Sequence, residues 1–167
     1  MTDRHISELL VRPATAADVP ALGRLAALLV QTHYDFDPRR FLAATPTTSD
    51  HYGSFLGTQL NDTDAVVLVA EESRRVIGYA YGAVEGYDYM ALRGPAAVLH
   101  DLIVDPEHRG RGVGQALLNA EIEALTQRRA PRVVLSTAHR NESAQRFFER
   151  AGFRRTMVEL TRELESR

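Results

Sequence analysis

The chain contains no cysteine. Disulfides, thiolate zinc sites and cysteine nucleophiles are thereby excluded. A surplus of one charge is also missing: the formal net charge is −2, and nothing global suggests a nucleic-acid binder. No apolar run approaches the ~18 residues of a membrane helix. The opening residues Met1 to His5 lack the apolar region of a signal peptide. The expectation is a soluble cytoplasmic protein with no membrane partner. Internal repeats and low-complexity tracts are absent, and no composition shift marks a boundary. His5, His51, His108 and His139 show no metal spacing such as i, i+4, so no metal is expected. What is present is 167 residues, of which 44% are apolar and 25% charged, as in an ordinary globular protein. That length suits one domain with a sizeable core. The reading is a single domain over 1–167, its core at about 9–164.

Leu9 to Arg12, before Pro13, read as a first strand. Thr15 caps a helix, with Asp18 completing an approximate capping box. Leu22, Leu25, Ala26 and Leu29 form its apolar face, and the stretch from Tyr34 to Pro38 breaks it. A second helix falls within Ser49–Leu60, where Tyr52, Phe55, Leu56 and Leu60 recur at helical spacing. Ala65–Glu71 and Val76–Val84 form an antiparallel hairpin, turned at Arg74 and Arg75. Residues 85–95 make a loop. A strand over Ala97–Val104 ends at Asp105 and Pro106, and a helix covers Val113–Gln127. A strand over Arg132–Thr137 precedes a helix capped by Asn141 and ended by Gly152. Phe153–Leu164 closes the chain as one strand or two. The order β-α-α-β-β-β-α-β-α-β calls for a mixed sheet covered by helices.

The most informative run extends from Asp105 to Leu118. Gly110, Gly112 and Gly114 alternate where a strand turns into a helix. Glycine allows positive φ and close approach of a ligand to the backbone. The first N–H groups of a helix lack internal partners and suit a phosphate. Arg109 and Arg111 add mobile positive charge. Other phosphate motifs fail. A Walker loop needs Lys and Ser or Thr after its last glycine, where Gln115 and Ala116 stand. The dinucleotide fingerprint needs Gly or Ala at Gln115. It also needs an acid after the next strand, where Ser136, Thr137 and Ala138 stand. On composition alone, a glycine-rich turn without a ligand stays open.

The sequence resembles the GNAT acetyltransferases. Arg109-x-x-Gly112-x-Gly114 after Val104, Asp105 and Pro106 matches the family pattern Arg/Gln-x-x-Gly-x-Gly/Ala. A second signature follows in Asn141, Ala144, Phe147, Phe148, Gly152 and Phe153. Val11 to Thr15 resemble the usual first strand. The resemblance implies an α/β (α+β) GNAT fold: a central mixed, mostly antiparallel sheet of six to seven strands with four helices. It implies a V-shaped splay between strands 4 and 5. The pantetheine of acetyl-CoA or CoA would lie there against Leu102, Ile103 and Val104. The diphosphate would sit on Arg109, Gly110, Arg111, Gly112, Val113, Gly114 and Gln115, with Asn141 and Phe148 beside the arm. The string Leu99, His100, Asp101, Leu102 is nearest to the diamine (spermidine/spermine-type) branch, which carries Glu where His100 stands. Arylalkylamine acetyltransferases carry a histidine at the equivalent point. Family habit implies a homodimer through the C-terminal strands.

The implied reaction is acetyl transfer from acetyl-CoA to a primary amine, by direct attack in a ternary complex. An alkylamine resembles lysine, with pKa near ~10.4, and must lose a proton first. His100 suits that task; the bland alternative is a strand histidine with satisfied nitrogens. Strict alternation places Val98, His100 and Leu102 on one face and Leu99, Asp101 and Ile103 on the other, unless a bulge intervenes. The thioester oxygen would meet the amide of Leu102 or Ile103. Phe148 replaces the family's usual tyrosine acid, and Ser143, water or a nearby tyrosine is left to protonate the thiolate. Tyr79 and Tyr81 read as strand packing. His33, Tyr34, Glu85, Tyr87, Tyr89 and Asp101 are candidates for a small-molecule amine site, and Asp35, Asp37 and Asp88 for its mouth. Each acid is equally readable as solvated surface. A protein lysine or N-terminal acetyltransferase and a non-catalytic acyl-CoA sensor are the competing readings.

Overall fold

Val11 and Arg12 lead into Pro13, and strand β1 spans Leu10–Pro13. In the computed structural model, which describes residues 8–164, a short 3-10 turn at Ala16–Asp18 follows. The Thr15 N–H donates to the Asp18 carboxylate at 2.8 Å, closing the capping box. Helix α1 covers Val19–Phe36, with Pro20 in the first turn where its missing N–H costs nothing. It runs on through Tyr34, where the sequence suggested a break. Helix α2 spans Thr48–Gln59.

Strands β2 (Ala65–Glu72) and β3 (Arg75–Glu85) form the expected hairpin. Its turn lies at Ser73 and Arg74, both with positive φ, one residue earlier than expected. Strand β4 covers Ala96–Val104, helix α3 Val113–Gln127, strand β5 Val133–Leu135 and helix α4 Glu142–Arg150. The sheet order is β1-β2-β3-β4-β5. Every pair is antiparallel except β4 with β5, which is parallel.

Alternation along β2 sorts the core into two layers. Val66, Leu68 and Ala70 face α3 together with Leu117, Leu118 and Leu125. Val67 and Val69 face α1 and α2 together with Leu22, Leu25 and Leu56. Phe147, Phe148 and Phe153 close the rim of the α3 layer.

Helices α1 and α2 cross at Gly23 and Gly53. A Cβ on Gly23 would lie 2.2 Å from the backbone oxygen of Ser49. Two helix backbones approach here too closely for any side chain. We therefore expect Gly23→Ala to destabilise the protein by about 1–3 kcal/mol, the usual cost of overpacking a rigid contact. Urea denaturation would measure it, and an unchanged midpoint would mean that the crossing relaxes freely.

Three expectations are corrected. The sheet has five strands among the described residues, not six or seven. The strand expected at Arg132–Thr137 shortens to Val133–Leu135, and residues 153–164 form no strand. A strand needs an edge to pair with, and β5 offers only three residues. The terminal segment instead follows the connection between α1 and α2, where Arg40 pairs with Glu159 and Arg39 with Glu163. Met157, Val158, Leu160 and Leu164 stand exposed along it. No helix among the described residues is long and apolar enough to cross a membrane.

Candidate functional site

Strand β4 carries the site because it loses its neighbour partway along. Its pairing with β5 ends at Leu99 opposite Leu135, yet β4 continues to Val104. The Asp105 N–H bonds Ile77 on β3 at 2.8 Å, and Ile103 lies opposite Tyr79. Alternation then turns the backbone groups of Leu102 and Val104 toward the open edge. The splay expected between strands 4 and 5 would open along this edge. Ile103, expected to share it, has its backbone turned toward β3.

At the end of β4 the chain makes a 3-10 turn, Pro106–His108, then enters α3 through Gly110 and Gly112. Their φ values are +72° and +84°, in the left-handed region that favours glycine. The first bond internal to α3 runs from Ala116 N–H to Gly112 at 3.0 Å. The N–H groups of Val113, Gly114 and Gln115 therefore have no acceptor within the helix. The Val113 side chain is buried, so this residue offers its amide alone. The arginines are less mobile than expected. Arg109 Nε donates to the Val104 carbonyl at 3.0 Å. Arg111 makes two bonds to Glu72, at 2.7 and 3.3 Å. Beside them His108 Nδ1 is buried and unpartnered. Asn141 caps α4, its side-chain oxygen accepting from Ala144 N–H at 3.2 Å. Phe148 is wedged edge-on between Phe147 and Phe153.

On the other side of the sheet a bulge sets which side chains share a face. Tyr81 pairs with Asp101 and Gly82 with Leu99, so His100 has no opposite number. Strict alternation would separate His100 from Asp101. The extra residue brings both to the face covered by α1 and α2. The His100 ring stacks on Tyr81, with centroids 5.1 Å apart. Its Nε2 lies 2.7 Å from Glu85 Oε1, and the second Glu85 oxygen accepts from Arg93 at 3.0 Å. Glu85, expected to contact an acceptor, is thus occupied in positioning His100.

Asp101 is buried, 5% exposed. The Tyr52 hydroxyl donates to its carboxylate at 2.9 Å and the Tyr79 hydroxyl at 2.8 Å. Burial pushes the Asp101 carboxyl above its ordinary range, and the two hydroxyls oppose this. Burial, reinforced by the Asp101 charge, pushes both tyrosines up, so they remain donors.

His100, Asp101 and Glu85 thus come together. His33 and Tyr34 sit near the end of α1; His33 Nδ1 donates to the Leu29 carbonyl at 2.9 Å. Tyr87 and Tyr89 stack on each other in solvent, on a loop closed by backbone bonds between Asp88 and Arg93. The sequence reading missed Tyr52 and Arg93 as site residues and gave Tyr79 and Tyr81 to packing. One signal pointed to Tyr52 and Tyr79. A tyrosine on an apolar face must find a partner for its hydroxyl, and Asp101 was the acid within the adjoining strand. Among the described residues no group of His, Asp or Glu side chains could hold a metal ion.

The family model described as Acetyltransferase (GNAT) family matches residues 28–153. The uncharacterized N-acetyltransferase YhfO of Bacillus subtilis (strain 168) is 30% identical over 102 residues, covering 60% of this chain and 66% of the relative. The chain thus spans about two thirds of that relative's length. The tetramutant of the BH1408 protein from Bacillus halodurans aligns over 93% of this chain and 99% of its own, with TM-score 0.80 and 22% identity. An aminoglycoside N-acetyltransferase, AAC(6')-Iy, solved in complex with CoA, aligns over 99% of this chain and 100% of its own, with TM-score 0.72 and 17% identity. These two likenesses concern the fold.

Proposed function

The chain belongs to the acetyltransferase (GNAT) family, and from that premise we propose that it moves the acetyl group of acetyl-CoA to the primary amine of a small molecule. The observation that carries this reading is a juxtaposition. Unpartnered amides of Val113, Gly114 and Gln115 begin α3. They follow directly on the open edge of β4, whose bulge holds His100.

The residues present fit CoA. Helix-start amides and the helix dipole suit a diphosphate. A Cβ at Gly110 or Gly112 would meet nothing within 4 Å, so the loop surface is open to a ligand. The edge groups of Leu102 and the N–H of Val104 suit a strand-like amide chain such as pantetheine, while the Val104 carbonyl already accepts from Arg109. Acetyl-CoA supplies the thioester that is attacked.

His100 accepts the proton of the ammonium group. With Nε2 donating to Glu85, Nδ1 is the free acceptor, a tautomer assigned from geometry. The neutral amine then attacks the thioester carbon: the C–N bond forms, the nitrogen's second proton passes to solvent, and the C–S bond breaks as the thiolate leaves. The Leu102 N–H, turned to the open edge, is the donor placed for the developing oxyanion. Phe148 has no proton to give. A thiol with pKa near ~8.5 leaves tolerably as a thiolate, and solvent protonates it.

The string from Leu99 to Leu102 supports an amine acceptor, as in the diamine branch it resembles. The three-residue edge strand β5 and the exposed Met157, Val158 and Leu160 support a homodimer through the C-terminal segment.

Calorimetric titration with CoA, followed by an amine screen that monitors thiol release, tests the proposal. Absence of heat at millimolar CoA would refute it. We further expect Gly112→Ala to weaken CoA binding at least tenfold. Alanine pays about 1–2 kcal/mol to hold the left-handed φ, and a shifted turn loses amide contacts with phosphate at about 1.5–3 kcal/mol each. An unchanged Kd would remove this loop from the cofactor site.

A further inference from the structure

We infer that the acceptor is a primary monoamine carried on an apolar, preferably aromatic, body. The inference rests on the acetyltransferase reading and narrows its substrate. Four rings run in series toward the reacting position. Tyr52 and Phe55 lie 6.1 Å apart, Phe55 and Tyr81 5.9 Å, and Tyr81 and His100 5.1 Å. Phe55 is 46% exposed and, with the partly exposed His100 ring, is what a ligand can cover in this series. Behind the rings lies one anion, Asp101, held by Tyr52 and Tyr79. Aromatic faces over a buried carboxylate favour an organic cation with an apolar flank.

Toward the loop between β3 and β4 the carboxylates near His100 are taken, while Asp62, near Tyr81, accepts from the Asp64 N–H. Both Glu85 oxygens are bonded, one to His100 and one to Arg93. Asp88 accepts from the amides of Met90 and Ala91 and lies 3.9 Å from Arg93. The distal ammonium of a diamine would meet Arg93 rather than a free acid. The hydroxyls of an aminosugar would meet ring edges and lose their hydrogen bonds to water. The loop between β3 and β4 exposes Tyr87, Tyr89, Met90 and Leu92, which suit an apolar body and offer nothing to a polyol.

The test compares kcat/KM for 2-phenylethylamine, 1,4-diaminobutane, an aminoglycoside and a peptide with a free N-terminus. We expect 2-phenylethylamine to lead by at least tenfold, the usual range for a filled apolar pocket. Phe55→Ala should remove most of that lead through KM, and Phe55→Leu should restore part of it. CoA calorimetry on each variant reports that it is folded. Equal or faster turnover of the diamine, aminoglycoside or peptide would overturn the inference and leave the acetyltransferase reading standing. Failure of every amine by a protein that binds CoA would overturn the inference and favour the non-catalytic sensor over the acetyltransferase reading. Loss of CoA binding in the unaltered protein would instead strike the reading itself.

Discussion

Replacing Glu121 with leucine is expected to raise the thermal midpoint at pH 9 by on the order of 10 °C and to flatten its dependence on pH. Glu121 sits on α3, fully buried, and neither carboxyl oxygen has a hydrogen-bond partner. It presses on β3 where the bulge lies: a Cβ at Gly82 would come within 2.7 Å of Glu121 Oε1. Arg128 is the one charge acting on it, and it does not bond it. Burial therefore dominates and pushes the Glu121 carboxyl up to about 8. The sign follows from linkage. The folded chain holds the proton longer than the unfolded chain, in which the group titrates in the ordinary carboxylate range. The penalty is absent in acid, grows as pH climbs through the range where only the unfolded chain ionises, and levels off above about 8. Over such a window the loss is several kcal/mol, a large part of a total stability of about 5–15 kcal/mol. Unfolding of both proteins at pH 5 and pH 9 would measure it. The native chain should melt lower at pH 9 than at pH 5, and Glu121→Leu should close most of that gap. A gap that persists in the variant would assign the pH dependence elsewhere.

His100→Ala is expected to lower kcat by at least tenfold, and up to the 10²–10⁴-fold that a positioned base contributes. CoA affinity should stay within about twofold, since His100 faces α1 and α2 rather than the amides of 113–115. The geometry favours a positioned base over a packed histidine. The ring is 37% exposed and held between a stacking partner and a carboxylate. Single-turnover kinetics with saturating acetyl-CoA would separate the chemical step from binding. An unaltered chemical rate would remove His100 from proton transfer and leave Asp101, with its two tyrosines, as the base to test next.

The elements that local chemistry dictates were legible in the sequence. Thr15 and Asp18 announced the cap before α1, Asn141 the cap of α4, and the glycines at 110–114 the start of α3. Each is a short-range signal that needs no distant partner. What was not legible depends on distant partners. Phe153–Leu164 has the residue types of a strand, but β5 is too short to receive it, and nothing local says so. Residues 136–137 were expected to continue β5, yet its pairing with β4 stops at Leu135 opposite Leu99. The bulge itself leaves no mark in the alternation of β4, because an extra residue is visible only against the register of β3. Tyr52 looked like one more apolar position on α2. Its role emerges only when the folded chain brings its hydroxyl to Asp101.

The unmatched His100 gives β4 two parities. Before it, odd-numbered side chains (Ala97, Leu99) point to the α3 layer; after it, even-numbered ones (Leu102, Val104) do. Inside and outside have traded places within a single strand. Grafting a segment across position 100 from a protein lacking the extra residue would therefore turn every downstream side chain over, even if each residue were individually conservative.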